Sequence, residues 1–146
     1  MILFLGDGLR DLSLLDADAS ARLCAVRGNC DVFSFLAEDV PEERFLALDE
    51  YHILMMHGHT HDVKYGLERA VTYAASRGAD LLLFGHTHEQ LSLYYPEGTV
   101  MGDTVLARPM YVFNPGSIGA PRGSGPSFGW IDLRSQGIVC SHGSVE

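Results

Sequence analysis

The chain has 146 residues, 47% of them hydrophobic and 20% charged, and a formal net charge of −9. That size and balance suit one globular domain spanning 1–146 and exclude a disordered or fibrous chain. Lys64 is the sole lysine and the arginines are scattered, which argues against a surface for extended nucleic acid, and no apolar stretch reaches membrane-span length.

Met1 to Leu5 reads as a buried strand that ends at Gly6-Asp7-Gly8, and a short helix is predicted over Leu9 to Leu15 from the spacing of Leu9, Leu12 and Leu15. A second strand, Leu23 to Arg27, ends at Gly28-Asn29-Cys30-Asp31. Arg44 to Leu48 and Tyr51 to Met56 form a hairpin around Asp49-Glu50, and its second arm runs into His57-Gly58-His59. Val63, Leu67, Ala70, Val71 and Ala74 fall at helical spacing, so a helix is expected over Val63 to Arg77, with Gly78 as its stop. The run Asp80-Leu81-Leu82-Leu83-Phe84 has the texture of a strand covered on both faces, and Gly85-His86-Thr87-His88 follows it directly. Beyond that point Leu91 to Tyr95, Val105 to Ala107, Met110 to Phe113, Ser127 to Leu133 and Gly137 to His142 read as short strands between Gly/Pro turns. Alternating strands and helices followed by a strand-rich half are satisfied by two sheets packed face to face and flanked by helices.

Four strands thus end in polar loops that begin with or contain glycine, and each loop offers a carboxylate, an amide oxygen or an imidazole. In open α/β sheets ligands sit beyond the carboxyl ends of the strands. Oxygen donors mixed with imidazoles, and no thiolate cluster, suit divalent manganese, iron, nickel, cobalt or zinc better than calcium. Each residue taken singly has a plainer reading. Asp7 between glycines serves equally as a turn residue or helix cap, Asn29 as a left-handed turn residue, and His57 or His86 as a hydrogen-bonded structural histidine. The recurrence at four strand ends favours ligation. His61 and Asp62 read as the entry to the following helix, His52 and His142 as solvent-facing strand residues, Cys24 and Cys140 as small core residues, and Asn114 to Ser117 as a turn near the site. Three cysteines without a CxxC pair do not make a disulfide framework, and a reducing cytoplasm is the expected setting.

The loops Gly6-Asp7-Gly8, Gly28-Asn29-Cys30-Asp31, His57-Gly58-His59 and Gly85-His86-Thr87-His88, with the late turn Asn114-Pro115-Gly116-Ser117, resemble in order and spacing the calcineurin-like metallophosphoesterase superfamily, in particular its small YfcE-like phosphodiesterase branch. The resemblance implies an α/β fold, a four-layer α-β-β-α sandwich, with a two-metal centre at the strand ends. It implies that Asp7 bridges both metals, that Asn29, His57 and His86 complete one of them, and that His88 ligates its neighbour. Asp7, Asn29 and His57 become the expected catalytic set, and His59, Cys30 and Asp31 are expected to line the site or the phosphate. Cys30 stands where the wider superfamily often has a histidine, and a protonated thiol is a weaker acid–base group. The implied activity is hydrolysis of small phosphodiesters by a metal-activated water, with manganese as the first expectation for the metal.

One departure stands out. The family opens with a strand ending Asp-x-His, and that motif is absent from this sequence. Met1 to Leu5 corresponds to the family's second strand, so the first strand and helix are missing, and an internal start or truncated gene model is the favoured reading over evolved loss. The second metal would then keep only Asp7 and His88, leaving one cation as an alternative to two, and two sheet edges would be exposed. A second function is carried alongside: a catalytically weak or inactive scaffold of this fold that binds a protein partner, as in retromer-type assemblies. A histidine-rich metal buffer is disfavoured because the donors are spread over four loops. A homo-oligomer is left open.

Overall fold

The computed structural model describes residues 1–145. The central element is a mixed five-stranded sheet built from Glu43–Leu48 (β3), Tyr51–Met56 (β4), Leu81–Phe84 (β5), Gln90–Tyr95 (β6) and Met110–Pro115 (β9), in the order β3-β4-β5-β9-β6. Strands β4, β5 and β9 run parallel in its middle, and antiparallel β3 and β6 close its edges. All four residues of β5 are buried, as the leucine-rich run requires of a strand covered on both faces.

Side-chain alternation then sorts the sheet's residues into two cores. On one face Leu54, Met56, Leu82, Phe84 and Val112 pack against Ala70, Val71 and Ala74 of the helix Glu68–Ser76 (α2). On the other, Ile53, Met55, Leu81, Leu83 and Phe113 meet Val26 and Ile138, together with Leu3, Leu5, Cys24, Ile131, Leu133 and Cys140. This second β layer is in two pieces: a parallel pair, Ile2–Phe4 (β1) with Leu23–Ala25 (β2), and an antiparallel hairpin, Ser127–Arg134 (β10) with Gly137–Ser144 (β11). Among the described residues, β1 is paired along one edge only, its partner being β2. Beyond the β1–β2 pair, Leu9, Ala25 and Ala37 form a third cluster with Phe4, Leu12, Leu23, Leu36 and Val40, which supplies the fourth layer. The four-layer α/β arrangement is therefore present, with a small and divided second sheet.

Several elements differ from their expected extents. The segment Leu9–Leu14 is a 3-10 turn rather than an α-helix, and only Leu9 of it is buried. The helix expected from Val63 begins at Glu68. Gly66 at φ 151° cannot propagate a helix, so Val63 and Leu67 join the core from a turn. A five-residue helix, Ala17–Ala21 (α1), is additional to the expected elements; Asp16 caps it by accepting from the Ala19 N–H at 2.8 Å. Val105 belongs to a two-residue strand, Thr104–Val105 (β8), hairpinned to Val100–Met101 (β7) across Gly102-Asp103, instead of a strand reaching Ala107. His142, expected to face solvent, is half-buried; its Nε2–H donates to the Asn114 carbonyl at 2.8 Å, and its ring lies 4.6 Å from that of Phe113.

Candidate metal centre

Two parallel strand pairs, one from each sheet, aim their carboxyl ends at the same place. In the large sheet Met56 of β4 lies opposite Phe84 of β5, so His57 and Gly85-His86 leave it side by side. In the small pair Phe4 lies opposite Ala25, which sets the Asp7 loop beside the Gly28 loop. One hydrogen bond joins the two layers there: the His57 Nδ1–H donates to the Leu5 carbonyl at 2.6 Å. The opposite ring nitrogen, Nε2, then lies 3.2 Å from Asp7 Oδ2 and 3.1 Å from His86 Nδ1. Asp7, His57 and His86 form a group whose ligand atoms all lie within 4.8 Å of one another.

The protonation states suit a cation. Desolvation is the main reason that His57, only 2% exposed, has a lowered pKa. Desolvation and then the neighbouring His57 bring His86 down to about 4. Both rings are therefore neutral at neutral pH, and with its Nδ1–H committed to Leu5, His57 presents a lone pair at Nε2. A backbone carbonyl holding the far side of an imidazole in this way is how proteins fix the tautomer and aim of a metal-binding histidine. A carboxylate oxygen and two imidazole nitrogens converging on one place are a chemically sound set for a divalent transition metal, which would take the place of the proton shared between His86 Nδ1 and His57 Nε2.

The loops that carry these groups are held under strain. Asp7, His86 and His88 sit at φ 62°, 66° and 63°, in the left-handed region that side chains usually avoid. Around Asp7 the hold comes from Asp31, whose carboxylate accepts four backbone N–H groups: Asp7 and Gly28 on Oδ2, each at 2.8 Å, and Gly8 and Leu9 on Oδ1, at 2.8 and 3.0 Å. Burial opposes ionisation of Asp31, but those donors together outweigh it and hold the carboxyl below its ordinary range. Asp7 Oδ1 accepts in turn from the Cys30 N–H at 2.7 Å. Around His86 the hold comes from Asn114, fully buried, whose Nδ2 donates to the Gly85 carbonyl and to Thr87 Oγ1, both at 3.0 Å, while its Oδ1 accepts from the Gly116 N–H at 2.9 Å.

The other residues that the sequence marks as candidates are placed as follows. Asn29 is exposed at the start of the 3-10 turn Asn29–Phe33, and its Nδ2 donates to Cys30 Sγ at 3.4 Å. Cys30 is exposed, and its hydrogen bond to Asp7, with burial second, raises its thiol pKa. His88 lies outside the three-residue group. His59 belongs to the imidazole cluster, with ring centroids 5.4 Å from His57 and 6.1 Å from His86, and its buried Nδ1 has no hydrogen-bond partner among the described residues. Asp31, expected to line the phosphate, is 4% exposed and has both oxygens occupied by the N–H groups above. Local pattern assigns Asn114 only to a turn; a polar side chain directly after an apolar strand is the one hint in the sequence that it does more.

The calcineurin-like phosphoesterase superfamily domain matches residues 1–136 of this sequence. The chain belongs to this superfamily. Among curated members, it is 37% identical over 97 residues to the Probable metallophosphoesterase YsnB of Bacillus subtilis, an alignment covering 66% of this chain and 48% of that protein. It is 29% identical over 121 residues to the phosphodiesterase YfcE of Escherichia coli, covering 79% of this chain and 55% of YfcE. The chain thus spans about half the length of these relatives. Among solved structures, Vps29 of Chaetomium thermophilum superposes with a TM-score of 0.62 at 19% identity, over 96% of this chain and 77% of Vps29. At that identity the likeness is one of fold. The superfamily is metal-dependent, and Asp7, His57 and His86 form a group that could hold a metal ion.

Proposed function

We propose that this domain binds a divalent transition metal at Asp7, His57 and His86, manganese first among the candidates, and hydrolyses small phosphodiesters. The observation that carries this reading is the convergence of Asp7 Oδ2, His57 Nε2 and His86 Nδ1, with the opposite His57 nitrogen committed to Leu5. A cation bound there would lower the pKa of a coordinated water and stabilise charge on phosphoryl oxygens. The chain's own residues supply the rest. Asp7 contributes the anionic donor, and its left-handed backbone aims the carboxylate at the two rings. His57 and His86 are neutral and keep their lone pairs available above mildly acidic pH. Asn29, from the Gly28 loop, would be a further ligand of this cation, and His88, two residues after His86, would be a ligand for a second cation if one is bound. His59, with a buried nitrogen that has no protein partner, is suited to hydrogen-bond a phosphoryl oxygen. Cys30 stays protonated and orients Asp7 through its N–H rather than acting as a base.

Assay of bis(4-nitrophenyl) phosphate with manganese tests this reading. The wild-type chain should release nitrophenol, and Asp7→Ala should lose at least about 100-fold in rate, together with its tight metal binding. Metal-loaded wild type no faster than Asp7→Ala overturns the catalytic reading. A second reading, a partner-binding scaffold, is favoured by Phe33 and Phe35, which are 87% and 81% exposed just after the Asn29–Cys30 loop. A Vps29 has been solved with a cyclic peptide bound, which shows that the fold can dock peptide in that protein. Inactive, metal-loaded wild type that binds such a peptide, and loses it on Phe33→Ser, would establish the scaffold reading instead.

A further inference from the structure

We propose that Asp31 is a positioning residue that sets where the Asp7 carboxylate stands, and that metal affinity at the centre depends on it although it touches neither metal nor substrate. The inference rests on the metal-binding reading above. Asp31 is 4% exposed, and its two oxygens each accept two backbone N–H groups, so it has no lone pair well placed to reach a cation. Three of its donors are consecutive: Asp7 and Gly8 in the loop after β1, and Leu9, the first residue of the 3-10 turn that follows it. The fourth, Gly28, belongs to the loop after β2. One buried carboxylate therefore ties the two loops together across the end of the parallel pair, with the Asp7 N–H inside the clasp.

Two further features show that the clasp has little slack. Asp7 is held at φ 62°, a conformation that would relax if its N–H were released. The loops also cross so closely that a methyl on Gly28 would collide with Asp7 Oδ1 and come within 2.8 Å of the Asp7 nitrogen. From the clasp the consequence passes through single contacts. Asp7 Oδ1 is taken by the Cys30 N–H, which leaves Oδ2 facing His57 Nε2. Releasing the loop would swing Oδ2 away from the two imidazoles, and residues that orient ligands in this way carry about 10–100-fold in metal affinity. A run of consecutive N–H groups pointing inward also resembles an anion cradle, and Asp31 fills that cradle from within the chain.

Asp31→Asn tests the proposal, because its amide would set N–H donors against N–H donors in the same space. Two readouts separate positioning from mere support of the fold. In metal-free protein, 15N resonances of the His57 ring report its surroundings: Nε2, which faces Asp7, should shift, whereas Nδ1, bonded to Leu5, should stay. By calorimetric titration, manganese should bind about 10–100-fold more weakly than to wild type. Wild-type protein that binds no manganese would defeat the metal-binding reading, and the metal-free resonances would still judge the role of Asp31. A folded Asp31→Asn with an unmoved Nε2 resonance, and with affinity within about twofold where wild type binds metal, overturns the proposal. If Asp31→Asn does not fold, Asp31→Ser, which removes the carboxylate without the opposing amide, decides by the same measures. Failure of both to fold overturns it too, since Asp31 would then act on the fold as a whole.

Discussion

His57 and His86 sit beside each other as neutral rings, and that has a consequence for stability. Their pKa values in the folded chain are lowered, for His86 from the ordinary 6.5 to about 4. In the unfolded chain the same histidines take up protons near 6.5. Acidification from about pH 6.5 towards 4 therefore protonates the unfolded state first and destabilises the metal-free fold, and the loss from His86 levels off below its folded value. Calorimetric Tm of the metal-free protein should fall across this window, and His86→Gln should flatten the slope. A Tm that is constant between pH 6.5 and 5 would show that the rings are not held neutral. Bound metal should raise Tm throughout and extend the fall to lower pH, because the cation competes with the proton for the same lone pairs of the folded state. Asp7, His86 and His88, three of the five described non-glycine residues with left-handed backbone, belong to the same picture, since backbone strain persists only where surrounding contacts over-determine it.

At the scale of elements, the site is made by the ends of parallel strand pairs rather than by the strands themselves. The loops after β1 and β2 pass so closely that Gly6, at φ 93°, would place a Cβ 2.5 Å from the Gly28 nitrogen. The clash is with backbone, so no rotamer change relieves it. Gly6→Ala should therefore cost at least about 2 kcal/mol in urea-induced unfolding, from left-handed strain plus steric displacement. It should also weaken manganese binding, because the displaced loop carries Asp7. A stable Gly6→Ala with unchanged metal affinity would mean that the two loops need not lie against each other. The helix that the apolar spacing places from Val63 teaches a related lesson: spacing identifies which residues face the core, but Gly66 decides that the chain reaches them by a turn.

For the molecule as a whole, β5 is the fully buried strand among the three, β4, β5 and β9, that both cores share. Leu82 points into the cluster beneath α2, and Leu83 into the cluster between the sheets. Truncating either to alanine leaves a cavity in a fully enclosed site, and each substitution should cost about 2–5 kcal/mol. If the layers form one cooperative unit, both variants should lower a single denaturation midpoint by circular dichroism and by Trp130 fluorescence alike. Separate transitions for Leu83→Ala would instead show that the divided second sheet melts independently of the five-stranded one. That sheet is the less secure partner, since among the described residues β1 has a single neighbour and β10 and β11 pair only with each other.

The sequence by itself determined which strands run into polar loops and which residues carry donor atoms there. Those signals are local: an apolar run, a glycine, and then a polar residue that cannot continue the strand. It also showed β5 as a strand buried on both faces, because four consecutive apolar side chains leave no polar face. Only the tertiary structure decided which donors meet. Asp7 joins His57 and His86 because the parallel pair β1–β2 packs across the face of the β4–β5 pair with the same ends aligned, a relation between distant segments that no local pattern encodes. The same holds for Asp31 and Asn114. Whether a buried polar side chain lines a site or braces it depends on which backbone groups surround it, and those come from elsewhere in the chain.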